Sequence, residues 1–182
     1  MASRAAAGAV VAAALMTQGC AHGELDRFAA VLARHDSATL ALQEWCAARG
    51  IAQDAPILAQ QVRGEDAAVP ADLAALLGSA EQPGYRHVRL TCGQVVLSEA
   101  HNWYLPTLLS PGMNRQLDTS DTPFGKVAAP LGFHRETLET RRGVRPGCPA
   151  DTVLWNRALL RLPDGRPLAV LVECYTKANL GR

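Results

Sequence analysis

The run Pro167-Leu-Ala-Val-Leu-Val-Glu173-Cys-Tyr175, near the end of the chain, limits the fold more than any other stretch. It follows the turn Pro163-Asp-Gly-Arg166, and before that turn comes Val153-Leu-Trp-Asn-Arg157-Ala-Leu-Leu-Arg161-Leu162. The two runs read as a β-hairpin. The second strand is apolar on both faces, which predicts a central place in its sheet. Strand side chains alternate, so Glu173 shares a face with Ala169, Leu171 and Tyr175. A carboxylate there loses much of its hydration and needs a proton, a cation or a hydrogen-bond donor.

A cation stands earlier in the chain. Tyr85-Arg86-His87-Val88-Arg89-Leu90-Thr91-Cys92 alternates, and Arg86 falls on the face of Val88, Leu90 and Cys92. An arginine in register with aliphatic residues either snorkels at a strand end or points into a cavity. Its planar fork suits carboxylate recognition. Arg86 and Glu173 are therefore expected to act together at one site.

The chain has 182 residues, enough for one domain with a sizeable core. Charged residues make up 19% and the formal net charge is +1, with no basic cluster that would track a nucleic-acid groove. No nucleic-acid partner is expected. The first residues differ in kind. Arg4 precedes an unbroken small or apolar run from Ala5 to Met16, and Thr17-Gln-Gly19-Cys20-Ala21 follows. These are the three parts of a bacterial secretion signal, and the run is too short for a transmembrane helix. Residues 1–21 are read as the signal and 22–182 as the single domain. Gly19-Cys20 resembles the end of a lipobox, which would make Cys20 a lipidated N-terminus and a lipid anchor the one link to a membrane. Cleavage after Ala21 is the alternative. The periplasm or the outer membrane is the expected location, or the cytoplasm if the start codon lies further along.

Export gives the other cysteines a meaning. Cys46, Cys92, Cys148 and Cys174 have no zinc-type spacing, so no metal is expected. In an oxidising compartment they can form two bridges in one of three connectivities. Cys46 and Cys92 lie at the ends of predicted elements and are expected to bridge. Cys174 lies inside a strand and Cys148 in a predicted mobile loop.

Along the chain, 24–50 reads as two helices broken at Arg34-His-Asp36-Ser37, with Asp36 or Ser37 as the second cap and a stop at Gly50. Residues 51–69 read as irregular, and Pro70 to Leu77 as a short helix ended by Gly78. Strands follow at 85–92 and from Val95 to Tyr104. Glu99 and His101 share a face of the latter, read as an edge strand with a solvated face. Ser110-Pro111 starts a helix through Leu117, and Asp121-Thr122-Pro123 repeats the start signal. The first free amides of such a helix can hold an anion. Phe133 to Arg142 reads as another strand. The class is α+β with a largely antiparallel sheet.

Arg86-His-Val-Arg-Leu, Glu99-Ala100-His-Asn-Trp-Tyr-Leu-Pro106, Thr122-Pro-Phe-Gly125 and the closing hairpin through Glu173 occur in an order that resembles chorismate lyase (chorismate pyruvate-lyase). The wider chorismate lyase-like superfamily includes the UTRA ligand-sensing domains of transcription regulators. The resemblance implies a six-stranded antiparallel sheet with helical flaps over an internal cavity for a small aromatic carboxylate. It implies catalytic roles for Arg86 and Glu173, and a ligand carboxylate held by backbone amides at Ala38 and Phe124. The reaction would split chorismate into 4-hydroxybenzoate and pyruvate without a cofactor. A carboxyl group near the ether oxygen suits that elimination, and an arginine would stabilise charge developing on oxygen. Three positions depart from the enzyme: Ala38 replaces a methionine, Phe124 a leucine and Asn102 an arginine. An exported chorismate lyase would also meet little chorismate. A non-catalytic binding lipoprotein with a UTRA-like cavity is the alternative.

Overall fold

The computed structural model describes residues 23–64, 67–78 and 81–181. The expected signal, its cleavage site and Cys20 lie outside them. The chain forms helix α1 (residues 23–33), α2 (Ala38–Arg49), strand β1 (Ile57–Gln61), α3 (Ala71–Leu77), β2 (Gly84–Cys92), β3 (Val95–Tyr104), α4 (Pro111–Thr119), α5 (Phe124–Ala128), β4 (His134–Arg142), β5 (Thr152–Arg161) and β6 (Pro167–Thr176). Every strand pairing is antiparallel, and the sheet order is β1-β2-β3-β6-β5-β4. The fold is α+β, as expected, and the twice-apolar strand β6 is central. Among the described residues, no helix is long and apolar enough to cross a membrane.

Two expectations are corrected, and a third is resolved between its two alternatives. The 51–69 stretch contains β1, whose outer edge is capped by Ala59 N–H donating to the Asp121 carbonyl (2.7 Å) and Ile57 N–H to Gln43 Oε1 (2.9 Å). β3 is an interior strand, so Glu99 and His101 do not lie on an edge. Ser37 occupies the α2 cap position but makes no side-chain cap bond, and Asp36 instead accepts from the Arg135 N–H at 2.9 Å.

One sheet face carries two apolar clusters. In the first, α1 and α2 lay Phe28, Leu32, Leu42 and Trp45 on Ile57, Val88, Leu90, Ala100 and Tyr175. Phe28 stacks edge-on against Tyr175 at 5.3 Å. In the second, α4 and α5 lay Leu117, Phe124 and Val127 on Tyr104, Leu160, Leu168 and Leu171. Each such side chain contributes roughly 1.5–3 kcal/mol when fully buried, so these clusters fix both helical layers to the sheet. The opposite face is covered in part by α3, through Leu73 and Leu77 on Trp103, Leu159 and Val170.

Two disulfides tie a helix and a turn to the sheet. Cys46 of α2 is bonded to Cys92 of β2, Cα atoms 6.4 Å apart, on the face the helices cover. Cys148, in the turn before β5, is bonded to Cys174 of β6, Cα atoms 5.6 Å apart, on the opposite face. The residue read as belonging to a mobile loop is therefore held against the central strand.

Candidate ligand cavity

The two apolar clusters do not close completely where they meet. The gap between the start of α2 and the start of α5 opens onto β3 and β6, and its floor is the cross-strand row Ala100–Glu173 with the neighbouring pair Asn102–Leu171. The cavity is partly open to solvent, and its volume is about 30 Å³, the space of a water or so. Ser37, Thr39 and Asn102 line it, and each is at least 94% buried. None of their side chains hydrogen-bonds to another described residue. Their polar atoms keep access to the space of the cavity itself, so a water or a bound molecule there can pair with them.

Glu173, in contrast, is fully engaged. Arg135 Nη1 donates to its Oε1 at 3.1 Å and Nη2 to its Oε2 at 2.5 Å, while the Tyr175 hydroxyl donates to Oε2 at 2.8 Å. The Arg135 and Glu173 side chains are only 5% and 4% exposed. Burial, the largest single influence, would depress the Arg135 pKa, but the Glu173 charge and hydrogen bonds, with Tyr175 and Asp36, together outweigh it and hold the guanidinium above its ordinary value. Burial, then the Glu173 carboxylate, pushes the Tyr175 phenol well above its own. Arg135 comes from β4, where it pairs with Leu160 of β5, and it reaches across β5 to Glu173 on β6.

The site residues expected from sequence divide. Ala38, Phe124 and Glu173 line this one cavity. Arg86 does not. It sits on the same sheet face, opposite Asn102, but its Nη1 and Nη2 donate to the carbonyls of Thr122 and Ser120 at 3.3 Å each. It forms no ion pair with a described residue, its Nε is buried without a partner, and burial lowers its pKa. The partner expected for Glu173 was Arg86; the partner found is Arg135. Sequence reasoning missed it because β4 reads His-Arg-Glu-Thr-Leu-Glu-Thr-Arg-Arg, where one inward arginine looks like its solvated neighbours.

The helix that follows Thr122-Pro123 begins at Phe124, with Pro123 at its cap and no side-chain cap bond. Gly125 is required there: a Cβ would overlap Ser37 Oγ and stand 3.3 Å from Thr39 Oγ1. The starts of α2 and α5 thus abut at the cavity mouth. On the other sheet face, Glu99 accepts from His87 (2.9 Å) and Arg89 (3.0 Å), and His101 bonds the Tyr85 hydroxyl (2.7 Å). Glu99 and His101 therefore do not form a pair with each other. No group of three or more His, Cys, Asp or Glu among the described residues could hold a metal.

No protein-family model matches the chain. Over 161 residues it is 37% identical to the uncharacterized protein y4mC of Sinorhizobium fredii (strain NBRC 101917 / NGR234), which covers 77% of this chain and 68% of that one. Among solved structures, PhnF from Mycobacterium smegmatis matches with a TM-score of 0.54 at 16% identity, over 80% of this chain and 65% of PhnF. The PhnF C-terminal domain gives 0.45 at 16%, over 69% and 86%. A GntR-family transcriptional regulator from Bacillus cereus gives 0.44 at 12%, over 67% and 92%. The chain spans 65% of PhnF and 60% of YydK from Bacillus subtilis, less than two thirds of either. The likeness to PhnF shows a shared fold.

Proposed function

The chain belongs to the family of the Sinorhizobium fredii protein y4mC, and on that premise we propose that it is a binding domain for a small aromatic carboxylate. The observation that carries this reading is the unpartnered trio Ser37, Thr39 and Asn102, buried around one cavity beneath two helical flaps. The first turn of α2 presents amides with no intrahelical partner beside the Ser37 and Thr39 hydroxyls, a setting that favours a carboxylate. Apolar walls from Val88, Leu160, Leu171 and Phe133 suit an aromatic body. The cavity is smaller than such a molecule, so the reading requires the starts of α2 and α5 to part on binding. The resemblance to UTRA domains supports the same reading. Titration with 4-hydroxybenzoate, followed by calorimetry and melting temperature, is expected to show saturable binding with stabilisation. No stabilisation by any aromatic monoacid, together with an empty protein by native mass spectrometry from its own host, rejects it.

Binding without turnover is favoured because both Glu173 oxygens already accept hydrogen bonds and Arg86 is committed to backbone carbonyls. Neither is poised on a reacting atom. The second reading, a chorismate pyruvate-lyase, is supported by Ala38, Phe124 and Glu173 meeting at one cavity. Incubation with chorismate separates the two, since only a lyase releases 4-hydroxybenzoate and pyruvate. Export belongs to the same proposal. The apolar run after Arg4 and Gly19-Cys20 motivate it, and two disulfides suit an oxidising compartment. Intact-mass measurement of the native protein is expected to show the first twenty or so residues removed, about 2 kDa, with added acyl mass if Cys20 is lipidated.

A further inference from the structure

We infer that the cavity accepts aromatic acids carrying one negative charge and rejects those carrying two. This rests on the binding reading above and names the ligand class for that site. The inference comes from how the charges around the cavity are already used. Asp36, Arg135 and Glu173 are the charged residues that line it. Arg135 is the one cation among them, and both of its terminal nitrogens are on Glu173. Of the other guanidiniums on this sheet face, Arg86 points its terminal nitrogens at the carbonyls of Ser120 and Thr122, and Arg142 pairs with Asp26 of α1. Asp36 is a further anion at the rim. The lining thus offers one favourable place for an anion, at the start of α2 beside Ser37 and Thr39.

The other end of the cavity is uncharged or negative. Asn102, 6% exposed and without a partner, offers a neutral amide that can both donate and accept. Glu173, one row along the sheet, adds a carboxylate whose ion pair with Arg135 is balanced but not reversed in sign. A hydroxyl or a neutral carbonyl on the ligand can pair with Asn102. A second carboxylate would be desolvated beside Glu173 with no cation free to meet it, and would be repelled. The same logic excludes chorismate, which carries two carboxylates, while allowing a phenolic acid of similar outline.

Two probes of similar outline and different charge test this, 4-hydroxybenzoate and benzene-1,4-dicarboxylate, titrated at pH 7 into the full domain. The hydroxy acid is expected to bind at least tenfold more tightly. Glu173→Gln releases Arg135, and the preference is expected to narrow or invert. Should that variant melt too low to assay, Asn102→Arg places a cation at the same end without breaking the ion pair and is expected to admit the diacid. Equal or tighter binding of the diacid by the unaltered protein overturns the inference. So does a ratio that stays fixed when a cation is freed or added in a folded variant. If neither probe binds, the binding reading fails and this one falls with it.

Discussion

At the residue scale, the cavity sets stability against function at single positions. The Asn102 side chain lines the cavity and pairs with no described residue, so Asn102→Leu is expected to cost nothing in stability and to raise it by up to about 1 kcal/mol. Ligand affinity should fall at least tenfold in the same variant. Urea unfolding and titration on one sample check both, and a destabilised variant would mean that Asn102 has a structural partner. The Arg135–Glu173 pair behaves differently, because each partner alone is a buried charge. Arg135→Met is expected to cost roughly 3–5 kcal/mol by stranding Glu173. Arg135→Met with Glu173→Leu should recover most of that, short of about 1–3 kcal/mol for the Tyr175 hydroxyl left without an acceptor. A double-mutant cycle by denaturant unfolding measures the coupling. Glu173 was legible in sequence because a charge inside an apolar strand has to be answered. Arg135 was not, because the strand that carries it is charged along its length and only the register across β5 reveals which arginine turns inward.

At the element scale, strands with a marked pattern were read within a residue or two, and the weakly patterned one was missed. β2, β3, β5 and β6 alternate or run apolar, and their turns are marked by Gly93 and by Asp164-Gly165. β1 is five residues, Ile-Leu-Ala-Gln-Gln, and its place is set by pairing with β2 and by contacts from distant loops rather than by its own propensity. The bridges belong to this scale. Cys46–Cys92 spans 46 residues and Cys148–Cys174 spans 26, so chain-entropy estimates give roughly 4 and 3.5 kcal/mol. Reduction is expected to lower the urea midpoint clearly, and Cys148→Ala with Cys174→Ala should show about half of the effect. Peptide mapping under non-reducing conditions checks the pairing. Acid should act through β3. Burial alone would raise the Glu99 pKa, but the hydrogen bonds from Arg89 and His87 outweigh it, so the folded value lies below the ordinary 4.5. A depressed carboxylate contributes its full stability above the unfolded value and loses it as pH falls through the folded one. The acid limb of a stability–pH curve should therefore steepen below pH 4.5 and flatten in Glu99→Gln.

At the scale of the whole molecule, the sheet is two three-stranded meanders, β1-β2-β3 and β4-β5-β6, joined along β3 and β6. The resemblance anticipated six strands and a covered cavity, and α+β architecture follows from the order of patterns. The order of the strands does not, because nothing in β3 or β6 alone says that they pair across so long a connection. Cys46–Cys92 fastens α2 to the first meander and Cys148–Cys174 fastens the turn before β5 to the second, so neither bridge joins β3 to β6. The cavity floor does cross that join, with Ala100 and Asn102 on one side and Leu171 and Glu173 on the other. The molecule is thus two leaves, each with its own staple, and the proposed binding site lies on the spine between them. A ligand seated there would act as a clasp, tightening a seam that no disulfide spans, and the more of it is present the harder the two leaves become to part.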